Sequence, residues 1–159
     1  MYFQNPDLTQ SDLRLPVPME DPLCSTYNNG EDVMICHGPV VETCWKFNGT
    51  GVVREANPTV RHDEGAMTHW NDEPILIGGY GNEIETYDGV QWQRQEDFPS
   101  PDPDWTYIEY HSAVNFHGDV YVFGGGPSWI YQGIGAFKFN GSWTKLQNLA
   151  GFRHGHRKS

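Results

Sequence analysis

Seven histidines, at positions 37, 62, 69, 111, 117, 154 and 156, are the residues of this chain best suited to hold a metal or move a proton. Zinc needs three or four ligands converging at about 2.0–2.3 Å. No ligand spacing recurs among these histidines, so hydrogen-bonded strand and turn positions are their expected place and no metal site is expected. The tail His154-Gly155-His156-Arg157-Lys158 is at most an adventitious metal binder. Carboxylates are the second candidate: Glu96-Asp97, then Asp102 and Asp104 within Phe98-Pro99-Ser100-Pro101-Asp102-Pro103-Asp104-Trp105. Acid–base work needs one carboxyl raised by burial. A stretch this rich in proline reads instead as a solvated acidic loop, open to a basic partner. Gly124-Gly125-Gly126-Pro127 lacks the lysine and following helix of a phosphate-cradling loop, and no Gly-x-Ser-x-Gly elbow is present. These patterns give no catalytic residue and no cofactor.

Three cysteines, Cys24, Cys36 and Cys44, are too few and odd in number for a complete disulfide framework. Small buried apolar positions on strands are their expected role, with one bridge among them left open. Asn48-Gly49-Thr50 and Asn140-Gly141-Ser142 match the N-glycosylation pattern. Both Asn-Gly pairs stand where Asp88-Gly89 stands in the middle of the chain, so turn geometry explains them without a sugar. Contact chemistry has a better candidate. The loop Pro127-Ser128-Trp129-Ile130-Tyr131-Gln132-Gly133 carries three large apolar side chains. Exposed aromatics supply contact area at low entropic cost and are enriched in interface hot spots.

The elements that must position these residues follow from composition and pattern. The 159 residues fit one domain, and 18 glycines, 11 prolines and 14% aromatics favour β structure with many tight turns. A net charge of −11 repels phosphate backbones and anionic lipid, which argues against nucleic-acid and membrane partners and suits a basic one. No apolar run approaches the ~20 residues that span a bilayer. No basic, then apolar leader opens the chain. A cytoplasmic protein, a removed leader and a piece of a longer chain all remain open, and the compartment is not assigned.

The sequence repeats. Asp32 to Gly38, Glu73 to Gly79 and Asp119 to Gly125 are hydrophobic runs whose final glycines lie 41 and then 46 residues apart. Each is followed by an aromatic and a turn dipeptide: Phe47-Asn48-Gly49, Tyr87-Asp88-Gly89 and Phe139-Asn140-Gly141. Asn-Gly and Asp-Gly favour positive φ at both centres of a two-residue hairpin. Each copy thus predicts four antiparallel strands, near 23–27, 32–37, 42–47 and 51–54; then 65–70, 74–78, 83–87 and 91–94; then 111–116, 119–124, 134–139 and 142–146. Val120 to Phe123 reads as a strand buried on both faces. No stretch has a sustained helical period. A lone four-stranded sheet cannot bury both faces, so the sheets must stack, and radial stacking gives a propeller.

At Ile75-Leu76-Ile77-Gly78-Gly79 with Tyr87-Asp88 and Trp92, and at Val120 to Gly125 with Phe139-Asn140 and Trp143, the chain resembles the kelch repeat. His111-Ser112-Ala113-Val114 resembles the first strand of that repeat. Copy one departs from it, with His37-Gly38 for Gly-Gly and no Trp after the turn. The resemblance covers roughly 22–149 and implies an all-β fold of about three kelch-type β-propeller blades. The stretch 1–21 would end a preceding blade, and 150–159 would be a tail or the start of the next. Kelch rings have five to seven blades, so three are a fragment of a ring or half of one closed by a homodimer. In such rings the loop after the second strand and the loop joining the fourth strand to the next blade share a face. That implies a binding surface of Tyr80, Trp105, Tyr107, Trp129 and Tyr131, and a non-catalytic protein- or peptide-binding module. The alternatives are a secreted structural or matrix protein, and an enzyme with a metal site on the propeller.

Overall fold

The computed structural model describes residues 22–37, 43–100, 106–126 and 135–146. Twelve strands form three sheets, with no helix among the described residues. Blade 1 is β1 (Leu23–Tyr27), β2 (Asp32–His37), β3 (Thr43–Phe47) and β4 (Val52–Arg54). Blade 2 is β5 (Ala66–Trp70), β6 (Glu73–Ile77), β7 (Ile84–Tyr87) and β8 (Trp92–Arg94). Blade 3 is β9 (Glu109–Phe116), β10 (Asp119–Gly126), β11 (Ala136–Phe139) and β12 (Trp143–Lys145). Each is an antiparallel meander in chain order. The first strands lie side by side, β1 by β5 and β5 by β9, so they are innermost and the fourth strands outermost. These are propeller blades, and β-propeller architecture is the fold of the described residues.

Alternation along each strand sends successive side chains to opposite faces. Ile75 and Ile77 of β6 face blade 3 and pack with Val120, Val122, Phe137 and Phe139. Leu76, between them, faces blade 1 and packs with Leu23, Met34 and Met67. Blade 2 is therefore buried on both sides, and the two cores are the joints of the stack. Trp70 closes edge-on against Phe139 with ring centres 5.0 Å apart, and Phe98 likewise against Trp143 at 4.7 Å. Hydrogen bonds tie the inner strands across the joint: Asn115 N donates to Thr68 Oγ1 (3.1 Å) and Asn115 Nδ2 to the His69 carbonyl (3.1 Å).

Blade 1 lacks the glycine pair and the tryptophan of its neighbours and carries a disulfide instead. Cys36 and Cys44 are cross-strand partners on β2 and β3, bonded to each other and buried in the joint with blade 2. Cys24 is free and exposed. Two expectations are corrected. Asn48-Gly49, Asp88-Gly89 and Asn140-Gly141 are not two-residue turns with positive φ at both centres; only the glycines take positive φ. The Asn48 and Asp88 side chains each accept the N–H groups two and three residues on, which builds a longer loop around the acidic or amide cap. The hairpin turns that do have positive φ at successive residues are Asn28-Asn29-Gly30, Asn71-Asp72 and His117-Gly118. Nor is β10 buried on both faces: Val120 and Val122 are, while Tyr121 and Phe123 are partly exposed on the side where no further blade lies among the described residues.

Candidate functional site

At one end of the stack lie the loop after β6 and the described parts of the loops that lead into blades 2 and 3. Gly79 and Ile108 form an antiparallel bridge there. Gly79 N donates to the Ile108 carbonyl (2.7 Å), Ile108 N to that of Gly81 (3.3 Å), and Phe98 N to that of Asn82 (2.7 Å). Tyr80 and Tyr107 are the residues flanking this bridge, so the fold brings these two together at one rim. Tyr80 is 60% exposed, and the Arg61 guanidinium lies over its ring at 4.4 Å. Arg61 is paired in turn with Asp63. Tyr107 is half-buried. Trp105, Trp129 and Tyr131 lie outside the described residues, as do Asp102 and Asp104.

The rim rests on a buried histidine–carboxylate hydrogen bond. His62, between Arg61 and Asp63, is fully buried, and so is Glu85 of β7. His62 Nδ1 donates to the Gly78 carbonyl (2.7 Å), and its Nε2 donates to Glu85 Oε2 (3.0 Å). With an oxygen acceptor beside each ring nitrogen, the imidazole is fixed in orientation from both sides. Glu85 also accepts Thr59 Oγ1 (2.6 Å), Thr59 N (3.1 Å) and Val60 N (3.3 Å). Burial pushes the Glu85 carboxyl up, but the hydrogen bonds from His62 and Thr59 outweigh it and hold the carboxyl below its ordinary value. One buried carboxylate therefore pins the loop that carries Arg61 under the exposed ring of Tyr80. Two non-glycine residues at the foot of the rim, Glu64 and Tyr110, take positive φ (61° and 57°), and Tyr110 N donates to the Glu64 carbonyl (2.8 Å). Backbone held in this region persists only where its surroundings over-determine it.

Two concave features accompany the rim. On the axis, a crevice of about 190 Å³ opens where the inner strands begin, between Leu23 and Cys24 of β1, Ala66 and Met67 of β5, and His111 and Ser112 of β9. His111 is buried and its Nε2 donates to the Ile77 carbonyl (3.0 Å), which is the structural role expected of it. At the opposite end, a crevice of about 220 Å³ between blades 1 and 2 is bordered by Asp32, Asp72, Glu73 and Asp88, with Tyr27 and Tyr87. Burial, then the nearby Asp88 charge, raises the Glu73 carboxyl. Burial raises the Tyr87 phenol, as does the hydrogen bond it donates to Glu55 (2.6 Å). No group of three or more histidine, cysteine or acidic side chains converges on one point among the described residues.

Sequence reasoning missed Arg61, the His62–Glu85 pair and the axial crevice. Glu85 is a charged residue on a strand otherwise made of Ile84, Thr86 and Tyr87, which is the one signal that could have drawn attention to it.

The fold has a solved counterpart. The chain superposes on the structure of YjhT with a TM-score of 0.69 at 14% sequence identity, over 88% of this chain and 55% of YjhT. The chain thus spans about half the length of YjhT, and at this identity the likeness is one of fold. No protein-family model matches the chain, and neither does any curated protein.

Proposed function

We propose that this chain is a non-catalytic propeller module of kelch type that binds a protein or peptide at the rim carrying Tyr80 and Tyr107. The observation that carries this reading is the exposed Tyr80 ring, held against Arg61 by a loop that the buried Glu85 fixes in place. A rigid aromatic with a paired cation offers contact area with little ordering cost on binding. The acidic surface, −11 in net charge, favours a basic ligand.

The test is selection of peptides from a displayed random library on the wild-type chain, followed by titration of the enriched peptides against Tyr80→Ala. A hot-spot aromatic is worth about 2 kcal/mol or more, so binding should weaken at least about 30-fold. The thermal midpoint should stay within about 2 °C, because an exposed side chain away from the core contributes about 0.5 kcal/mol or less. Enriched peptides that bind Tyr80→Ala as well as wild type would sink the reading.

A second reading, a secreted structural or matrix protein, is favoured by the Cys36–Cys44 disulfide, since such bonds persist in oxidising compartments. Thiol counting on native material should then find only Cys24 free. Three free thiols would exclude it.

A further inference from the structure

The two outer faces of the stack match, in strand register, the two sides of the joints between its blades. In blade 2, Ile75 and Ile77 face the following blade and Leu76 faces the preceding one. The strand pairings place Met34 and Cys36 of blade 1 at the positions of Ile75 and Ile77, and both are buried against blade 2. The same positions in blade 3 are Tyr121 and Phe123, paired on β9 with Val114 and Ser112. Their rings stack 6.3 Å apart, and on this face Val114 is 48% and Phe116 59% exposed. Conversely, Leu76 and Val122 are fully buried against the preceding blade, and blade 1 has Ile35 at that position. Ile35 and Val33 pair with Trp45 and Phe47, which makes a second apolar face. Trp45 Nε1 on that face is buried with no acceptor among the described residues.

Neither face has a further blade against it among the described residues, and each has the register and apolar character of a surface that is buried elsewhere in this chain. One is a following half-joint and the other a preceding half-joint. A two-fold pairing uses each of them once per copy and leaves none exposed. The length agrees: the match covers 55% of YjhT, which leaves that chain nearly as many residues again, and a second copy of this chain would supply that length.

We propose that two copies of this chain close one ring about a two-fold axis, blade 1 of each against blade 3 of the other, and that the axial crevice is completed only there. This stands apart from the peptide-binding reading of the rim. It makes a specific residue prediction. At the existing joints Leu23 and Met67 line the axial crevice together, as do Ala66 and Ala113. By register, Ser112 stands at the position of Leu23 and Ala66, and Cys24 at that of Met67 and Ala113. At each new joint Cys24 of one copy thus meets Ser112 of the other, and both are exposed in the single chain.

Sedimentation equilibrium of the wild-type chain should give about twice its 18.1 kDa mass over a micromolar dilution series. A monomer, or a ladder of ever larger species, would overturn the proposal. Ser112→Cys under mild oxidation should give a crosslinked dimer on a non-reducing gel, absent when Cys24→Ser is added. A dimer without that crosslink would overturn the arrangement. Should Ser112→Cys fail to fold, the exposed Phe116→Lys serves instead: it should raise the dimer dissociation constant at least tenfold with an unchanged circular dichroism spectrum. An unchanged dissociation constant would count against the joint.

Discussion

Glu85→Ala should cost about 3–5 kcal/mol of stability in urea unfolding, because each donor left unpaired by the lost carboxylate costs about 1–3 kcal/mol where it stays buried. The carboxylate takes hydrogen bonds from His62 Nε2, Thr59 N, Thr59 Oγ1 and Val60 N, all on the loop that enters blade 2. Its loss leaves the buried His62 Nε2 and the Thr59 and Val60 donors without their acceptor and unpins that loop. The pair also sets an acid limit. Although burial opposes it, hydrogen bonding holds the folded Glu85 carboxyl below the ordinary 4.5, so between the two values the unfolded chain binds more protons than the folded one. The contribution is fully present above about pH 4.5 and is lost as pH falls through the depressed folded value. Glu85→Gln should therefore flatten the loss of stability on acidification below pH 4.5 relative to wild type. A variant within about 1 kcal/mol of wild type that keeps the wild-type acid slope would show that the pair does not hold the loop.

The blades were legible because three independent signals coincide in each copy. In blade 2 the run Ile75-Leu76-Ile77 gives the strand, Gly78-Gly79 its end, and Asp88-Gly89 the next hairpin; the strands lie within a residue or two of where these landmarks put them. The details that failed are those that depend on something other than the repeat. The turn dipeptides were read from backbone preference alone, whereas the side-chain oxygens of Asn48 and Asp88 compete for the loop N–H groups and lengthen the turn. Phe123 was read as buried because Val120 to Phe123 is apolar throughout, but a strand's second face is buried only if a neighbour exists to cover it. The cysteines show the same limit. Their clustering in blade 1 was visible, but Cys24 and Cys36 sit on opposite faces of that sheet, and only the register Cys36 to Cys44 decides which pair is bonded.

The site was less legible than the fold for a physical reason. The kelch resemblance implies one face for Tyr80 and Tyr107, and the bridge between Gly79 and Ile108 brings the two together. What holds them is a set of long-range contacts between residues with no motif. Thr59, Arg61 and His62 precede β5 by several residues, and Glu85 lies on β7, so no local spacing relates them. Only folding two strands between them brings the imidazole and the carboxylate to 3.0 Å.

Gly79→Ala should be the more disruptive of two glycine substitutions that look alike in sequence, and the comparison measures how rigid the rim is. Gly79 and Gly89 both have positive φ, +106° and +94°. A side chain at either is strained, by about 1–2 kcal/mol. At Gly89 an added Cβ meets nothing within 4 Å, so Gly89→Ala should cost no more than that strain. At Gly79 the Cβ would lie 2.5 Å from the His62 carbonyl carbon, 2.6 Å from the Asp63 oxygen and 2.7 Å from His62 Cα. These are backbone atoms, which cannot rotate away as a side chain would. The loop from Thr59 to Asp63 must then move, and it cannot move without stretching the hydrogen bonds to Glu85. Overpacking adds about 1–3 kcal/mol to the strain, so Gly79→Ala should lose about 2–5 kcal/mol in urea unfolding. It should also release Arg61 from the Tyr80 ring, so that peptide binding at the rim weakens even at temperatures where the variant is fully folded. Equal losses for the two variants would mean that the loop yields easily. Tyr80 would then stand on a mobile support, and the rim could not owe its affinity to preorganisation.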